Sequence, residues 1–393
     1  MANKRTDKQI DELLKRGIDE VIDRDSLRKK LKSGKKLRVK LGIDPTSPNL
    51  HIGRSIPLLK LRDFQQLGHK IVFIVGDFTG VIGDTSDKDS ERPMLTDKQV
   101  KQNMKDYIKQ AGKVIDIKKC EVHFNSKWLK KLNYHEVGRQ ADNFSLNEFI
   151  SRENIKKRLD GGKRVSLREL LYPLMQGYDS VAVKADVEVG GTDQRFNLLA
   201  GRELQRHYGQ PAQDIITNPL IEGLDGRKMS SSWGNVINLW DKPADMFGKV
   251  MSLRDDLIIR YFVLTTRVEM DTVKKYEADL AKGSNPRDIK MKLGYELVRF
   301  YHSEREAEKA QATFVKIFSD KQKPSQIPVF KSTRSDLLTI LVESGAVSSK
   351  TEARRAVEQG GVKINDEVAK DSKATVKKGD VVQKGKRFFI KIG

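Results

Sequence analysis

Two short segments of this chain carry residues that could hold a polyphosphate. The first contains His51, Gly53 and Arg54 at the start of a predicted helix, where free backbone N–H groups favour an anion. The second contains Lys228, a mobile cation, followed by three hydroxyl donors at residues 230–232. Each segment alone is common in proteins of many kinds. Together they predict chemistry at a phosphate, where positioning and electrostatics supply most of the catalysis.

A further set of polar residues is spaced to recognise a small molecule. On a helix, Tyr172, Gln176 and Asp179 fall at positions i, i+4 and i+7 and share one face. That face presents a phenol, an amide and a carboxylate together, although a partly exposed amphipathic helix shows the same spacing. Segments 76–86 and 186–194 combine glycines with carboxylates, and glycine lets the backbone approach a ligand closely.

The elements that position these residues alternate along residues 1–240. Apolar runs that predict strands stand at residues 38–43, 71–75, 187–189 and 215–216. Amphipathic stretches between them predict helices, and residues 1–34 show helical periodicity throughout. We therefore expect a doubly wound, Rossmann-like α/β domain with a parallel sheet. Segments 44–54 and 76–84 follow predicted strands, at the sheet edge where such folds bind ligands.

The rest of the chain changes character twice. Residues 241–323 show only helical periodicity and predict a small all-α domain, and residues 324–329 predict a linker. Residues 330–393 predict a small α+β module whose second helix opens with a capping box, Ser349 to Glu352.

The composition indicates a polyanionic partner. Lys and Arg number 75 against 54 Asp and Glu, which leaves a formal net charge of +21 and favours nucleic acid. The single cysteine, Cys120, excludes a disulfide framework and a cysteine-rich zinc site, and the six histidines show no metal-ligand spacing. We predict no protein metal site, no signal peptide and no membrane span, hence a cytoplasmic protein.

The two phosphate-binding segments resemble the paired motifs of class I aminoacyl-tRNA synthetases, which read HIGH and KMSKS. Residues 172–180 are similar to the tyrosine-binding helix of the tyrosyl-tRNA synthetases, and residues 352–365 resemble their S4-like RNA-binding module. The resemblance implies a tyrosine–tRNA ligase. Such an enzyme converts L-tyrosine and ATP to tyrosyl-adenylate and pyrophosphate, then transfers tyrosine to the 3′-terminal ribose of tRNA(Tyr). It further implies Mg²⁺ with the ATP, no zinc, and a homodimer.

The resemblance also implies roles for individual residues. The catalytic positions match Thr46, His51, Arg54, Lys228 and Ser231. Those that hold ATP match Gly53, Gly191, Asp193, Lys228 and Ser230. Those that hold tyrosine match Asp84, Tyr172, Gln176, Asp179 and Gln194. RNA-binding positions, which helical spacing places off the packed face of their helix, are Lys350, Arg354 and Arg355, with Lys363 on the following strand.

The chain departs from the family pattern at four positions. Arg54 stands where most members have His, and Ser231 stands where many have a second Lys. Lys40 occupies the position of a Tyr that contacts the substrate hydroxyl in many members, and Glu188 that of a Gln. The hydroxyl must then be recognised by Asp179 together with another donor or water.

Three alternatives remain at this point. A tryptophanyl-tRNA synthetase has a similar catalytic fold, but Asp179 and the C-terminal module argue against it. A nucleotidyltransferase with a related His-x-Gly-His motif would need neither feature. A non-enzymatic RNA-binding protein with a decayed site would account for Arg54 and Ser231, and absence of amino-acid-dependent ATP turnover would favour it.

Overall fold

The computed structural model describes residues 6–86, 94–318, 327–332, 334–369, 371–385 and 388–393. The chain forms two compact units, residues 1–308 and residues 309–393. Residues 319–326, which contain the predicted end of the helical domain and half of the predicted linker, lie outside the described residues. The predicted subdivision of the first unit at residue 240 stays a prediction.

The first unit is built on a six-stranded sheet. Its strands are β1 Glu20–Ile22, β2 Arg38–Ile43, β3 Lys70–Val75, β4 Glu121–Phe124, β5 Val187–Gly191 and β6 Asp214–Asn218. Their spatial order is β1-β6-β5-β2-β3-β4, and all are parallel except β1. Strand β3 is apolar almost throughout because helices cover both faces of such a sheet. The predicted doubly wound sheet is confirmed, and its order reverses between β2 and β5.

Helices surround this sheet and continue after it. Those up to β6 are α1 Asp7–Leu13, α2 Arg24–Lys32, α3 Ile52–Gln66, α4 Thr79–Ile82, α5 Asp97–Met104, α6 Tyr107–Ala111, α7 Ser126–Leu129, α8 Tyr134–Ala141, α9 Leu146–Ile150, α10 Glu153–Asp160, α11 Leu167–Val183 and α12 Arg195–His207. The later ones, in the stretch where only helices were predicted, are α13 Pro243–Met251, α14 Ile258–Thr265, α15 Met270–Ala281, α16 Pro286–Tyr301 and α17 Glu304–Phe318. No helix in the described part of the chain is long and apolar enough to cross a membrane.

The N-terminal segment differs from its predicted continuous helical pattern. Strand β1 separates α1 from α2, and Gly17 (φ 60°) and Asp23 (φ 63°) break the helical backbone on either side. Val21 pairs with Ile216 on β6, so β1 covers that edge of the sheet. Backbone pairing with a strand nearly 200 residues away outweighs local periodicity, which cannot report it. Strand β4 was also missed by the sequence prediction.

The second unit is a small α+β module, as predicted. Its elements are β7 Val329–Phe330, α18 Leu337–Glu343, α19 Lys350–Glu358, β8 Val362–Ile364, β9 Glu367–Val368, β10 Val381–Lys384 and β11 Phe388–Ile392. The strands form one sheet in the order β7-β11-β10-β8-β9. Buried apolar side chains of α18, α19 and the sheet make its core, among them Leu337, Ile340, Val357 and Val382.

Candidate active site

One cleft of about 470 Å³ opens at the carboxyl ends of β2, β3 and β5, beside the point where strand order reverses. All fourteen residues predicted to act in catalysis or to hold ATP or tyrosine line it. The cleft therefore brings together residues as far apart in the chain as Thr46 and Ser231, which are separated by 185 positions. The four positions predicted to bind RNA belong to the second unit.

Asp179 on α11 lies at the buried end of the cleft. Its two carboxylate oxygens accept hydrogen bonds from Trp128 Nε1 at 2.7 Å and from Asn125 Nδ2 at 3.2 Å. Burial raises the pKa of the Asp179 carboxyl to about 7, against the opposing charge of Lys40 and these two donors. Such a strongly raised pKa in a cleft is typical of functional carboxylates. Asp179 is therefore a fixed acceptor for one polar atom of a ligand.

Lys40, the residue in place of the expected phenol, points away from solvent beneath α11. Its ammonium lies 2.8 Å from Glu188 Oε1 on β5 and donates to Ser180 Oγ at 2.8 Å and to the Gln176 carbonyl at 3.0 Å. Glu188 thereby also finds a partner. Two of the four departures from the family pattern are thus one ion pair.

A second carboxylate, Asp44, is partly buried and follows β2 at the other side of the same pocket. Thr79 Oγ1 donates to it at 2.7 Å and the Tyr172 hydroxyl at 2.8 Å. Burial raises the pKa of the Asp44 carboxyl to about 6, although both donors oppose the change. Gly76 makes room for this arrangement, because a Cβ there would lie 2.1 Å from Asp44 Oδ1. The carboxylate can therefore meet a ligand cation.

Asp84 and Gln194 close this polar end. Gln194 Nε2 donates to Asp84 Oδ2 at 2.6 Å, and the buried amide of Asn197 donates to Gln194 Oε1 at 3.0 Å and to Gln176 Oε1 at 3.1 Å. Asn197 therefore fixes the orientation of both glutamine amides. The pocket has a carboxylate at each end and amides between them, which suits a ligand with a cation and a distant hydroxyl.

The opposite arm of the cleft begins at His51, which precedes the first turn of α3. The ring is buried, and its Nδ1 has no hydrogen-bond partner within the described residues. Burial lowers the pKa of the His51 imidazole to about 3, with the charges of Arg54 and Lys228 adding to the effect. A neutral ring results. Gly53 leaves it space, because a Cβ there would lie 3.0 Å from His51 Nδ1.

Arg54 reaches back over the loop that follows β2. Its guanidinium donates to Thr46 Oγ1 at 2.9 Å, to the Asp44 carbonyl at 3.1 Å and to the Tyr107 hydroxyl at 3.2 Å. The arginine at this position thus joins the start of α3 to the threonine predicted to donate to phosphate. Its cation remains next to the His51 end of the cleft.

The loop that carries Lys228 is joined to the start of α3 by two backbone N–H groups of that helix. Ile52 N donates to the Ile237 carbonyl at 2.8 Å, and Gly53 N donates to Met229 Sδ at 3.3 Å. Buried Asn235 holds the loop from within: its Nδ2 donates to the Lys228 carbonyl at 3.1 Å, and its Oδ1 accepts from Ser230 N at 2.9 Å. The two predicted phosphate-binding segments therefore form one wall.

Lys228 itself points across the cleft. Its ammonium lies 3.2 Å from Asp193 Oδ2, in the segment that follows β5. Ser231 is exposed at the start of a 3₁₀ turn, Ser231–Trp233. A polyphosphate that enters between these walls would meet Lys228, Arg54 and the neutral ring of His51.

Comparisons with known proteins decide among the families that such a cleft could serve. Residues 32–319 match the family model described as tRNA synthetases class I (W and Y), and residues 337–382 match the S4 domain. The tyrosine–tRNA ligase of Thermotoga maritima is 46% identical over 385 residues, covering 97% of this chain and 96% of the relative. That of Haemophilus influenzae is 44% identical over 382 residues, covering 96% and 95%.

The chain belongs to the tyrosine–tRNA ligase family.

A solved structure agrees at the level of the fold. The C-terminally truncated mitochondrial tyrosyl-tRNA synthetase of Coccidioides posadasii superposes with a TM-score of 0.64 at 24% identity, covering 79% of this chain and 92% of that one. The family resemblance inferred from the motifs is confirmed. A nucleotidyltransferase would not match the ligases of Thermotoga maritima and Haemophilus influenzae over nearly their full length, so that alternative is set aside.

In this tyrosine–tRNA ligase family member, the helix α19 exposes the predicted RNA-binding side chains. Lys350, Arg354 and Arg355 are exposed, whereas Val357 is buried in the core of the unit. Lys363, on β8, is half-buried. Their role stays a prediction, because the placement shows only a basic helical face.

The predicted capping box of α19 is half formed. Ser349 Oγ accepts from Glu352 N at 3.2 Å, as expected. The Glu352 carboxylate instead accepts from Ser348, at 2.8 Å from both its N and its Oγ. Ser348 offers the Glu352 carboxylate two donors, its backbone N–H and its hydroxyl, and so it competes with the expected partner, the backbone N–H of Ser349.

Several residues of the site were missed by reasoning from the sequence. Asp44 could have been found, because it directly follows a predicted strand at the ligand-binding edge. Asn125 and Trp128 follow β4, a strand that was not predicted, so nothing placed them near Asp179. Asn197 and Asn235 act through hydrogen bonds to segments elsewhere, which leave no periodic signal.

Proposed function

We propose that this cleft joins L-tyrosine to tRNA(Tyr) in two steps, first with ATP to give tyrosyl-adenylate and then with the terminal ribose of the tRNA. One observation carries the proposal. A single cleft holds a buried carboxylate, Asp179, at one end and, at the other, the two linked segments predicted to bind phosphate. A phenolic amino acid and a nucleotide can therefore bind in it side by side, with the carboxylate of the first next to the phosphates of the second.

Tyrosine lies with its hydroxyl against Asp179 and its ammonium among the acidic groups at the opposite end of the pocket. Asp44 and Asp84 supply the negative charge there, and burial raises the pKa of the Tyr172 phenol well above 10, so it stays a hydrogen-bond donor. The amide of Gln194 approaches the reacting carboxylate. A pocket built to bond a hydroxyl rejects the analogue that lacks it, a rule for which this enzyme family is the standard example.

ATP occupies the other arm, with its ribose near Gly191 and Asp193 and its phosphates between the two walls. A tyrosine carboxylate oxygen attacks the α-phosphorus, the bond to the bridging oxygen breaks, and pyrophosphate leaves. Lys228 and Arg54 stabilise the charge that spreads over the phosphates, with hydroxyls of Thr46 and Ser231 as donors. The attacking carboxylate carries no proton, so this step needs no base, and His51, which is neutral, contributes a hydrogen bond.

Lys228 must change partner during this step. Its ion pair with Asp193 at 3.2 Å is replaced when ribose hydroxyls take Asp193 and phosphate takes the ammonium. Mg²⁺ enters with ATP, held by the phosphates. The described residues contain no cluster of three or more His, Cys, Asp or Glu side chains that could hold a metal ion.

The second unit contributes to tRNA binding through the basic face of α19, in keeping with the net charge of +21. We further propose that the enzyme is a cytoplasmic homodimer. Exposed leucines on α9 and α11, Leu146 at 64% and Leu167 at 77%, provide apolar surface that a second copy would bury. A monomer mass by light scattering at micromolar concentration would contradict the dimer.

The test is tyrosine-dependent exchange of pyrophosphate into ATP, run beside tryptophan and phenylalanine with Mg²⁺ present. We expect exchange with tyrosine alone. The variant Asp179→Ala should lose its selectivity for tyrosine over phenylalanine. Exchange driven by tryptophan would support the tryptophanyl alternative, and no exchange with any amino acid in a folded sample would leave RNA binding as the function.

A further inference from the structure

A buried ion pair lies directly beneath α11, the helix proposed to bind the amino acid. Lys40 on β2 and Glu188 on β5 are partners in the strand register, and their side chains are 0% and 1% exposed. Burying two charges carries a desolvation penalty, and apolar residues of similar size often stabilise a core equally well. Stability alone therefore does not explain why this pocket contains the pair.

The ammonium of Lys40 is fully used by the protein. An ammonium has three donors, and three acceptors surround this one: Glu188 Oε1, Ser180 Oγ and the carbonyl of Gln176. Two of these acceptors flank Asp179 on α11. Lys40 is therefore hydrogen-bonded to the turn of α11 that carries Asp179, the carboxylate proposed to bind the tyrosine hydroxyl. It has no donor left for a substrate.

Glu188 is equally fixed. Its Oε2 accepts from Ser180 Oγ at 2.9 Å and from Gln213 Nε2 at 2.5 Å, and its Oε1 lies 2.8 Å from the Lys40 ammonium, so both oxygens are held although the residue lines the cleft. Within the part of the chain that the structure describes, Lys40 from β2 lowers the pKa of the Asp179 carboxyl, Glu188 from β5 raises it, and Tyr172 on the same helix interacts electrostatically with Asp179. Asn125 and Trp128, on the side of β4 and α7, add only neutral donors.

We propose that Lys40 is a positioning residue for tyrosine recognition, which acts through Asp179 by keeping that carboxylate ionised and its helical turn in place. The ion pair with Glu188 keeps the Lys40 ammonium in the position from which it acts on Asp179. The inference rests on the proposed function, since it concerns how the same pocket reads the tyrosine hydroxyl. It explains how a chain without a phenol at position 40 retains that selectivity.

The proposal predicts opposite effects for the two partners. Lys40 lowers the pKa of Asp179, whereas Glu188 raises it. Lys40→Met should therefore move the pH midpoint of hydroxyl recognition upward by about one unit or more. Glu188→Gln should move it downward. A pocket that was merely loosened would weaken binding in both variants without shifting the midpoints in opposite directions.

The measurement uses the full chain in the pyrophosphate-exchange assay between pH 5.5 and 8.5. The ratio of the KM for tyrosine to the inhibition constant of phenylalanine is followed with pH. Groups that bind the shared part of both molecules, Asp44 included, cancel in this ratio. A matched control is Lys60→Met, which removes another buried ammonium, bonded to the carbonyls of Leu13 and Arg16 at 2.8 Å each. Its midpoint should equal that of the wild type.

Lys40→Met leaves a buried carboxylate unpaired and could prevent folding, so Lys40→Met/Glu188→Gln is made beside it. In this double variant neither member of the Lys40–Glu188 pair remains as an unpaired charge, and the midpoint should still rise, because the effect of Lys40 on Asp179 is larger than that of Glu188. Wild-type midpoints in both Lys40 variants would overturn the proposal while the proposed function stands. A wild type without tyrosine-dependent exchange would remove the proposed function and this inference with it.

Discussion

Replacing Asp179 by Asn should stabilise the free protein at neutral and alkaline pH while it damages activity. Burial raises the pKa of this carboxyl from 3.8 to about 7, roughly three units, and each unit corresponds to about 1.4 kcal/mol. Ionising Asp179 in the folded state therefore costs about 4 kcal/mol at pH 8. The asparagine avoids that cost, but its amide cannot accept from both Trp128 and Asn125, and a lost hydrogen bond costs about 1–3 kcal/mol.

The pH dependence separates these two contributions. The folded protein holds more protons than the unfolded chain between pH 3.8 and about 7, because the folded pKa of Asp179 is the higher one. Wild-type stability from this group therefore falls as pH rises through that window. The lost hydrogen bond does not depend on pH. We expect the stability of Asp179→Asn relative to wild type to rise by about 2 kcal/mol between pH 5.5 and pH 8 and to level off above it.

The assay is urea unfolding followed by tryptophan fluorescence at both pH values. All three tryptophans, Trp128, Trp233 and Trp240, lie in the first unit, so the signal reports on the unit that holds Asp179. Asp271→Asn, at a carboxylate that is 90% exposed, is the control and should show no such difference. Exchange activity should fall by about 10- to 100-fold in kcat/KM for tyrosine, because hydrogen bonds to charged groups contribute about 1.5–3 kcal/mol. Equal relative stability at both pH values would refute the reasoning.

Three further changes test other parts of the structure. Asn235→Ala should lower kcat/KM for ATP by about tenfold with little change in the KM for tyrosine, because the lost bonds hold the Lys228 loop; an effect confined to tyrosine binding would contradict this. Gly177→Ala should destabilise the first unit by about 1–3 kcal/mol in urea unfolding, because its Cβ would lie 3.1 Å from the backbone of α12, whereas Gly248→Ala, with open space around it, should not. Deleting residues 330–393 should preserve adenylate formation and weaken tRNA charging, and a collapse of exchange in a folded truncation would argue that the second unit supports catalysis.

Local pattern was enough to predict much of the scaffold. The apolar runs of β2, β3, β5 and β6 and the helical face of Tyr172, Gln176 and Asp179 are short-range features, visible without any partner. The His51 and Lys228 segments are recognisable because their residue types match a known pair of motifs. From these the sheet, the family and the set of cleft residues follow.

The tertiary structure alone decided which groups meet. Trp128 lies 51 residues from Asp179, and Glu188 lies 148 residues from Lys40, so no periodicity links either pair. Their meeting depends on strand register and on how α7 and α11 pack against the sheet. Spacing within an element is written in the sequence, whereas contact between elements depends on the packing of the whole chain. The two departures at positions 40 and 188 therefore looked independent in the sequence and became one ion pair in the fold.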